Sequence, residues 1–101
     1  MTTNVAIIGL GIMGTRMLQH MRKHQEFNPY YLWDPNPIAC EKAIKQYSET
    51  KIMQNADEAI EKADLVYLAC PPTVREKYAL KTVEMGKACL LYTSPSPRDN
   101  R

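Results

Sequence analysis

Apolar and polar positions fall in blocks along this chain, and the changes of period between blocks predict its elements. Asn4–Ile8 is almost continuously apolar, as a strand buried on both faces requires. Over Ile12–His24 the period lengthens. Met13, Met17, Leu18 and Met21 recur three and four residues apart, with Arg16, Gln19, Arg22 and Lys23 opposite, which predicts an amphipathic helix with a methionine-rich core face. Phe27-Asn28-Pro29 breaks that pattern, and Tyr30–Trp33 reads as the second strand. Asp34-Pro35-Asn36-Pro37 is a turn whose second proline opens a helix over Ile38–Tyr47.

Lys51–Met53 reads as a short third strand. Asn55, with Glu58 three residues on, has the spacing of an N-cap and capping box for a helix ending near Lys62. Leu65–Ala69 is the fourth strand, and Pro71-Pro72 stops it because neither residue donates to a ladder. A helix over Val74–Met85 follows, with Tyr78, Ala79 and Val83 on its buried face and Gly86 as its C-cap. Strands and helices thus alternate four times. That order predicts an α/β fold with a doubly wound parallel sheet, right-handed crossovers and helices on both faces, an incomplete Rossmann arrangement over residues 1–88.

The bulk properties narrow the class. The chain has 101 residues, one domain's worth, and a net charge of only +2 with acids and bases interspersed, so nucleic acid is not an expected partner. Cys40, Cys70 and Cys89 contain no CxxC pair, which argues against a disulfide scaffold or zinc site and for a reducing, cytoplasmic setting. No apolar run approaches the ~20 residues of a membrane helix, and no secretory leader opens the chain. His20 and His24 stand at i, i+4, the spacing of a metal pair, but with no third ligand nearby they read as a solvated face, and no metal is expected.

The candidate chemistry starts where the first strand meets Gly9-Leu10-Gly11-Ile12-Met13-Gly14. A strand, a GxGxxG turn and a helix in succession form a cradle for a dinucleotide pyrophosphate. Gly9 allows the tight turn, Gly11 lets backbone approach phosphate, and Gly14 lets helix lie on strand. The amides of Ile12 and Met13 and the helix dipole attract the anion. Asp34 closes the second strand twenty residues beyond Gly14, where the fingerprint places an acid for the adenosine ribose hydroxyls. Its charge repels a 2′-phosphate and no arginine follows it, so NAD is expected ahead of NADP. Cys70-Pro71-Pro72-Thr73, at the carboxyl edge of the fourth strand, forms a rigid loop placed to pack along the nicotinamide-side ribose. Cys70 itself reads as a small buried apolar residue, and no residue presents itself as a catalytic acid or base.

With these residues in place, the chain resembles the glucose–fructose oxidoreductase and inositol dehydrogenase family (Gfo/Idh/MocA). The likeness runs from Asn4 to about Ala88 and rests on the glycine loop, Asp34, Asp64–Pro72, Tyr78-Ala79-Leu80 and Glu84–Lys87. Arg75 departs from it, since many members carry a histidine there. The loop also resembles that of β-hydroxyacid dehydrogenases, G-L-G-x-M-G, although those usually lack the Pro71-Pro72 and Gly86-Lys87 segments. The first resemblance implies an NAD(P)-dependent oxidoreductase of sugars, polyols or related alcohols, homo-oligomeric in its whole form, moving hydride between a carbinol carbon and nicotinamide C4. It also implies a glutamate-lysine-proline motif after the fifth strand, and this chain has none. Alone, the chain is expected to bind nicotinamide dinucleotide and to turn nothing over; the small-molecule substrate belongs to the full-length parent. A noncatalytic nucleotide-binding regulatory module is the alternative from a different class.

After Lys87-Ala88 the residues Cys89–Asp99 read as the in-frame translation of a transposase adapter used to prepare sequencing libraries. The expectation is that native sequence ends near residue 88 and that 89–101 is a non-native tail. Cys89–Tyr92 is apolar enough to lie down as an accidental fifth strand, and Thr93–Arg101 is expected to be disordered. The source DNA across codon 88 decides this: the same tail in clean genomic sequence would sink the expectation.

Overall fold

The computed structural model describes residues 2–91. The elements are β1 (Thr3–Ile8), α1 (Ile12–Arg22), β2 (Phe27–Trp33), α2 (Pro37–Gln46), β3 (Lys51–Ile52), α3 (Ala56–Lys62), β4 (Leu65–Leu68), α4 (Pro72–Glu84) and β5 (Ala88–Leu91). All pairings are parallel and the sheet order is β3-β2-β1-β4-β5, so the expected doubly wound α/β fold is what forms. Residues 92–101, which hold the whole of the expected disordered segment and the last residue of the expected Cys89–Tyr92 strand, lie outside the described residues. The fifth strand does form, with Cys89 opposite Val66 and Leu91 opposite Leu68.

β1 is the centre of the sheet, and Val5 to Ile8 are fully buried. Alternate residues feed two cores, as the two-residue period of a strand demands. Val5 and Ile7 pack with Leu18 and Met21 of α1 and Cys40 and Ala43 of α2. Ala6 and Ile8 pack with Ala59 and Ile60 of α3, and Tyr78 and Ala79 of α4 lean on that cluster. Helices therefore cover both faces, and each fully buried side chain such as Leu18 or Ile60 contributes about 1.5–3 kcal/mol.

The structure departs from expectation at several boundaries, each with a physical cause. β2 begins at Phe27 and takes Pro29 into the strand. The ladder accommodates it through a register shift: Val5 pairs with Pro29 and Ala6 with Tyr31, leaving Tyr30 as an extra, bulged residue where proline offers no N–H. β3 pairs only with Tyr31 and Leu32, so Pro29 interrupts no second ladder.

α4 starts at Pro72, with Pro71 as its N-cap, because proline fits the first helical position where no N–H is needed. Its inward face is also rotated from the expected one. Val83 is 66% exposed and the buried residue is Thr82, whose hydroxyl donates to the Tyr78 carbonyl (2.7 Å) and so enters the core satisfied. The helix ends in a Schellman motif: Gly86, at φ +73°, donates to Val83 O (2.9 Å) and Lys87 to Thr82 O (3.0 Å). Asn55 caps α3 as its spacing predicts, accepting from Glu58 N (2.8 Å), while the Glu58 carboxylate reaches Gln54 N instead of closing a reciprocal box.

Candidate functional site

At the carboxyl ends of β1, β2 and β4 the chain diverges to opposite faces of the sheet. β1 leads into α1 on one face and β4 into α4 on the other, opening the crevice expected of a doubly wound sheet at its switch point. The glycine loop forms its floor, and its three glycines do different things. Gly9 has φ +103°, and a Cβ there would meet the Ala69 carbonyl carbon at 2.8 Å. A Cβ on Gly14 would overlap the Gly9 carbonyl oxygen outright. Around Gly11, by contrast, nothing beyond its own chain neighbours lies within 4 Å of where a Cβ would stand.

Two glycines thus clamp α1 onto the sheet, and the third keeps backbone bare beside open space. Gly11 is also the N-cap of α1, with no side-chain cap bond and no acid in the first turn. The Thr15 hydroxyl donates to Gly11 O (2.7 Å) and so leaves the first-turn amides untouched. Uncapped amides, the positive end of an eleven-residue helix and a glycine-wide gap fit an anion such as a pyrophosphate.

Asp34 is built into this loop. Its Oδ2 accepts from the Leu10 N–H (2.6 Å) and its Oδ1 from the Asn36 N–H (2.8 Å). One carboxylate therefore fixes the glycine turn against the end of β2. A carboxylate offers about four lone-pair sites, so capacity for two further donors remains, the number a vicinal diol presents. The Cys40 thiol donates to the Asp34 carbonyl (3.3 Å), and burial pushes that thiol's pKa up.

A cleft of about 550 Å³ joins Gly9, Gly11 and Asp34 to Cys70, Pro71 and Pro72. Trp33 and Tyr78 meet edge to face across it (6.2 Å), tying the end of β2 to α4. Six of the expected site residues therefore converge, and Cys70–Pro72 stand in the same cleft as Asp34, because β4 lies beside β1 in the sheet and α4 opens at its carboxyl end. Leu10 and Ile12 line a second depression of about 510 Å³ between α1 and α2, with Gly11 at its rim. Met13 is half-buried in α1, Gly14 is buried, and Thr73 sits exposed in the first turn of α4.

Trp33, Val74, Arg75 and Tyr78 also line the cleft, although the sequence placed Trp33 only in a strand, Tyr78 only on a buried helix face and Arg75 only as a departure from the family pattern. The available signal was helical spacing, since Arg75, Tyr78, Ala79 and Thr82 share one face.

Cys70 is 6% exposed. Burial pushes its thiol above the usual range, with the nearby Arg75 cation pulling weakly the other way. Cys40 and Cys89 are raised by burial as well. Below a raised pKa the thiol stays protonated and unreactive, and each unit is tenfold in thiolate. Iodoacetamide at neutral pH is expected to label the folded chain at least ~10-fold slower than the urea-unfolded chain, with the folded rate climbing as pH rises. Rapid labelling of Cys70 in the folded chain at pH 7 would contradict its placement. Among the described residues no three His, Cys, Asp or Glu gather as metal ligands, and no helix is long and apolar enough to cross a membrane. His20 and His24 are both exposed.

The family model described as "Oxidoreductase family, NAD-binding Rossmann fold" (Gfo/Idh/MocA) matches residues 3–91. Among solved structures, GenD2 from gentamicin A biosynthesis, in complex with NAD, is 18% identical with a TM-score of 0.81, over 89% of this chain and 26% of that one. Apo scyllo-inositol dehydrogenase from Lactobacillus casei is 18% identical with a TM-score of 0.81, over 89% of this chain and 28% of that one. Biliverdin reductase from Synechocystis sp. PCC 6803, in complex with biliverdin and NADP+, is 20% identical with a TM-score of 0.84, over 90% of this chain and 29% of that one. These similarities are of fold, and the chain spans a little over a quarter of the length of the structures it matches.

Proposed function

Because the chain belongs to the Gfo/Idh/MocA oxidoreductase family, with its NAD-binding Rossmann fold, we propose that it is the cofactor-binding part of an NAD(P)-dependent oxidoreductase of a sugar, polyol or related alcohol. The observation that carries this reading is the joining of the Gly11 gap and the Asp34 carboxylate in one cleft. The amides at the start of α1, from Gly11 through Met13, hold the pyrophosphate, with Gly9 and Gly14 setting the turn. Asp34 accepts the adenosine ribose hydroxyls. Cys70, Pro71 and Pro72, sharing the cleft with Asp34, wall the adenosine end and lead toward the nicotinamide-side ribose.

When bound, the nicotinamide supplies a C4 position that gives or takes hydride. This chain's residues bind and orient. The substrate pocket, the proton acceptor and the oligomer interface lie in the whole protein, and its three free thiols accord with the cytoplasm.

Asp34 also bears on cofactor choice. A carboxylate already holding two backbone amides cannot turn away from a 2′-phosphate placed on the neighbouring ribose carbon, and like charges in a cleft repel. Trp33, the single tryptophan, lines the cleft, so its fluorescence reports occupancy. Titration is expected to give NAD a Kd at least ~10-fold below that of NADP, a difference of about 1.4 kcal/mol. Equal or reversed affinities would remove the NAD preference, and no binding of either would remove the function.

A further inference from the structure

α1 and α2 carry matching rows of side chains that the cofactor reading leaves unused. Both helices pack on the same face of the sheet and, as crossovers between parallel strands, run in the same direction. Along α1 the row reads Ile12, Arg16, Gln19, along α2 it reads Ile38, Lys42, Gln46, and the two rows wall the depression of about 510 Å³ between the helices. The isoleucines are largely exposed, at 77% and 61%. No acid lines this groove, and neither cation is ion-paired, since the ion pair found among the described residues is Arg22 with Glu49 (2.6 Å). Two apolar walls, one helical turn from two unpaired cations, make a seat for a helix that carries an apolar residue and an acid one turn apart.

The chain itself presents such a helix. The outward face of α4 reads Glu76, Leu80, Val83, Glu84. Leu80 is 60% exposed, and neither acid is ion-paired among the described residues. Lys77 is drawn away from this ridge over the Tyr78 ring, 5.7 Å from its centroid. The four-residue step from Leu80 to either acid equals the step from Ile12 to Arg16 and from Ile38 to Lys42. We propose that the groove between α1 and α2 takes the α4 ridge of a second copy of this chain, with Leu80 and Val83 between Ile12 and Ile38 and Glu76 between Arg16 and Lys42. α4 then lies antiparallel to α1 and α2, which sets Glu84 at their positive ends. Groove and ridge belong to helices on opposite faces of the sheet, so the contact is not reciprocal, and each copy offers its ridge to the next, head to tail. This surface is separate from the cofactor cleft and does not rest on the cofactor reading.

Sedimentation velocity over a concentration series of the full chain is the test. The unaltered chain is expected to be monomeric at ~10 µM and to grow past pairs toward ~1 mM, the range of a small, transient contact. Lys42→Glu spoils the groove by facing Glu76 with a like charge, and Leu80→Arg spoils the ridge by setting a cation between the isoleucines. Both positions are exposed, so the fold does not depend on them. Each variant alone is expected to associate at least ~10-fold more weakly. Mixed in equal amounts, the two should recover the original strength but stop at pairs, because the Lys42→Glu chain keeps its ridge and the Leu80→Arg chain keeps its groove. Far-UV circular dichroism confirms that each variant folds.

Three results overturn the proposal. These are an unaltered chain that stays monomeric throughout, a variant that associates as the unaltered chain does, which would put the contact elsewhere, such as the open edge of β5, or a mixture that stays monomeric or grows past pairs. NAD titration of the same samples reads the cofactor cleft independently, so any of these results leaves the cofactor reading standing, and a chain that associates without binding NAD overturns that reading alone.

Discussion

Gly14→Ala is expected to cost this chain about 3 kcal/mol of stability and to abolish nucleotide binding, the larger of the two principal effects. The added methyl has nowhere to go. It would overlap the Gly9 carbonyl oxygen, a backbone atom held in place by the Gly9 N–H bond to Trp33 O (2.8 Å) and by Asp34 on Leu10. Relief requires sliding α1 off the sheet, which would also pull Leu18 and Met21 from the core. For a domain of this size the loss is a large part of the total, and its midpoint should fall by roughly 12–24 °C.

Gly11→Ala separates packing from binding. Nothing beyond its own chain neighbours lies within 4 Å of its Cβ position, so thermal unfolding should change little while NAD binding is lost, because the methyl fills the gap left for phosphate. Urea or thermal melts beside NAD titrations check both variants. A Gly14→Ala chain as stable as the original would refute the clamp, and full NAD affinity in Gly11→Ala would refute the cradle.

Asp34→Ala is expected to raise the Kd for NAD about 100-fold, some 3 kcal/mol, since hydrogen bonds to a charged group are worth about 1.5–3 kcal/mol each and two hydroxyls lose theirs. The same change leaves the Leu10 N–H without its acceptor, and Leu10 is itself buried, so stability should fall by about 1–2 kcal/mol as well. Asp34→Asn distinguishes the two losses. It keeps the shape and one acceptor oxygen but removes the charge, so it should retain more stability than alanine and narrow the gap between NAD and NADP. Calorimetric titration of the three chains with both dinucleotides measures this. Unchanged NAD affinity in Asp34→Ala would remove the residue from the site.

The glycine loop and Asp34 were legible in the sequence because their constraints are local. A GxGxxG turn between a strand and a helix encodes its own backbone, and an acid at the end of the next strand inherits its place from the βαβ unit. Element order was legible for the same reason. What stayed hidden depends on partners far away in the chain. Pro29 looks like a strand breaker until a bulge at Tyr30 absorbs it against β1. Val83 looks like core on hydropathy, yet Thr82 takes the inward place because a helix can satisfy a buried hydroxyl internally. Arg75 looked only like a departure from a family pattern. Its place in the cleft depends on where α4 crosses the sheet, seen directly in the contact of Tyr78 with Trp33.

The central position of β1 has a consequence for how the molecule comes into being. This strand is made before the four others of its sheet, yet one of its two edges is closed only when Val5 meets Leu65. At ~5–20 residues per second, Val5 to Ile8 wait on the order of several seconds as an apolar segment with an open edge. Parallel pairing over such separations is also slow to nucleate. The glycine turn that follows directly cannot shorten that wait, because its shape depends on Trp33, Asp34 and Ala69, all made later. Until β4 arrives, that open edge is a template for mispairing. A chaperone that shields Thr3–Ile8 during synthesis is expected to raise the yield of folded chain without touching the native state.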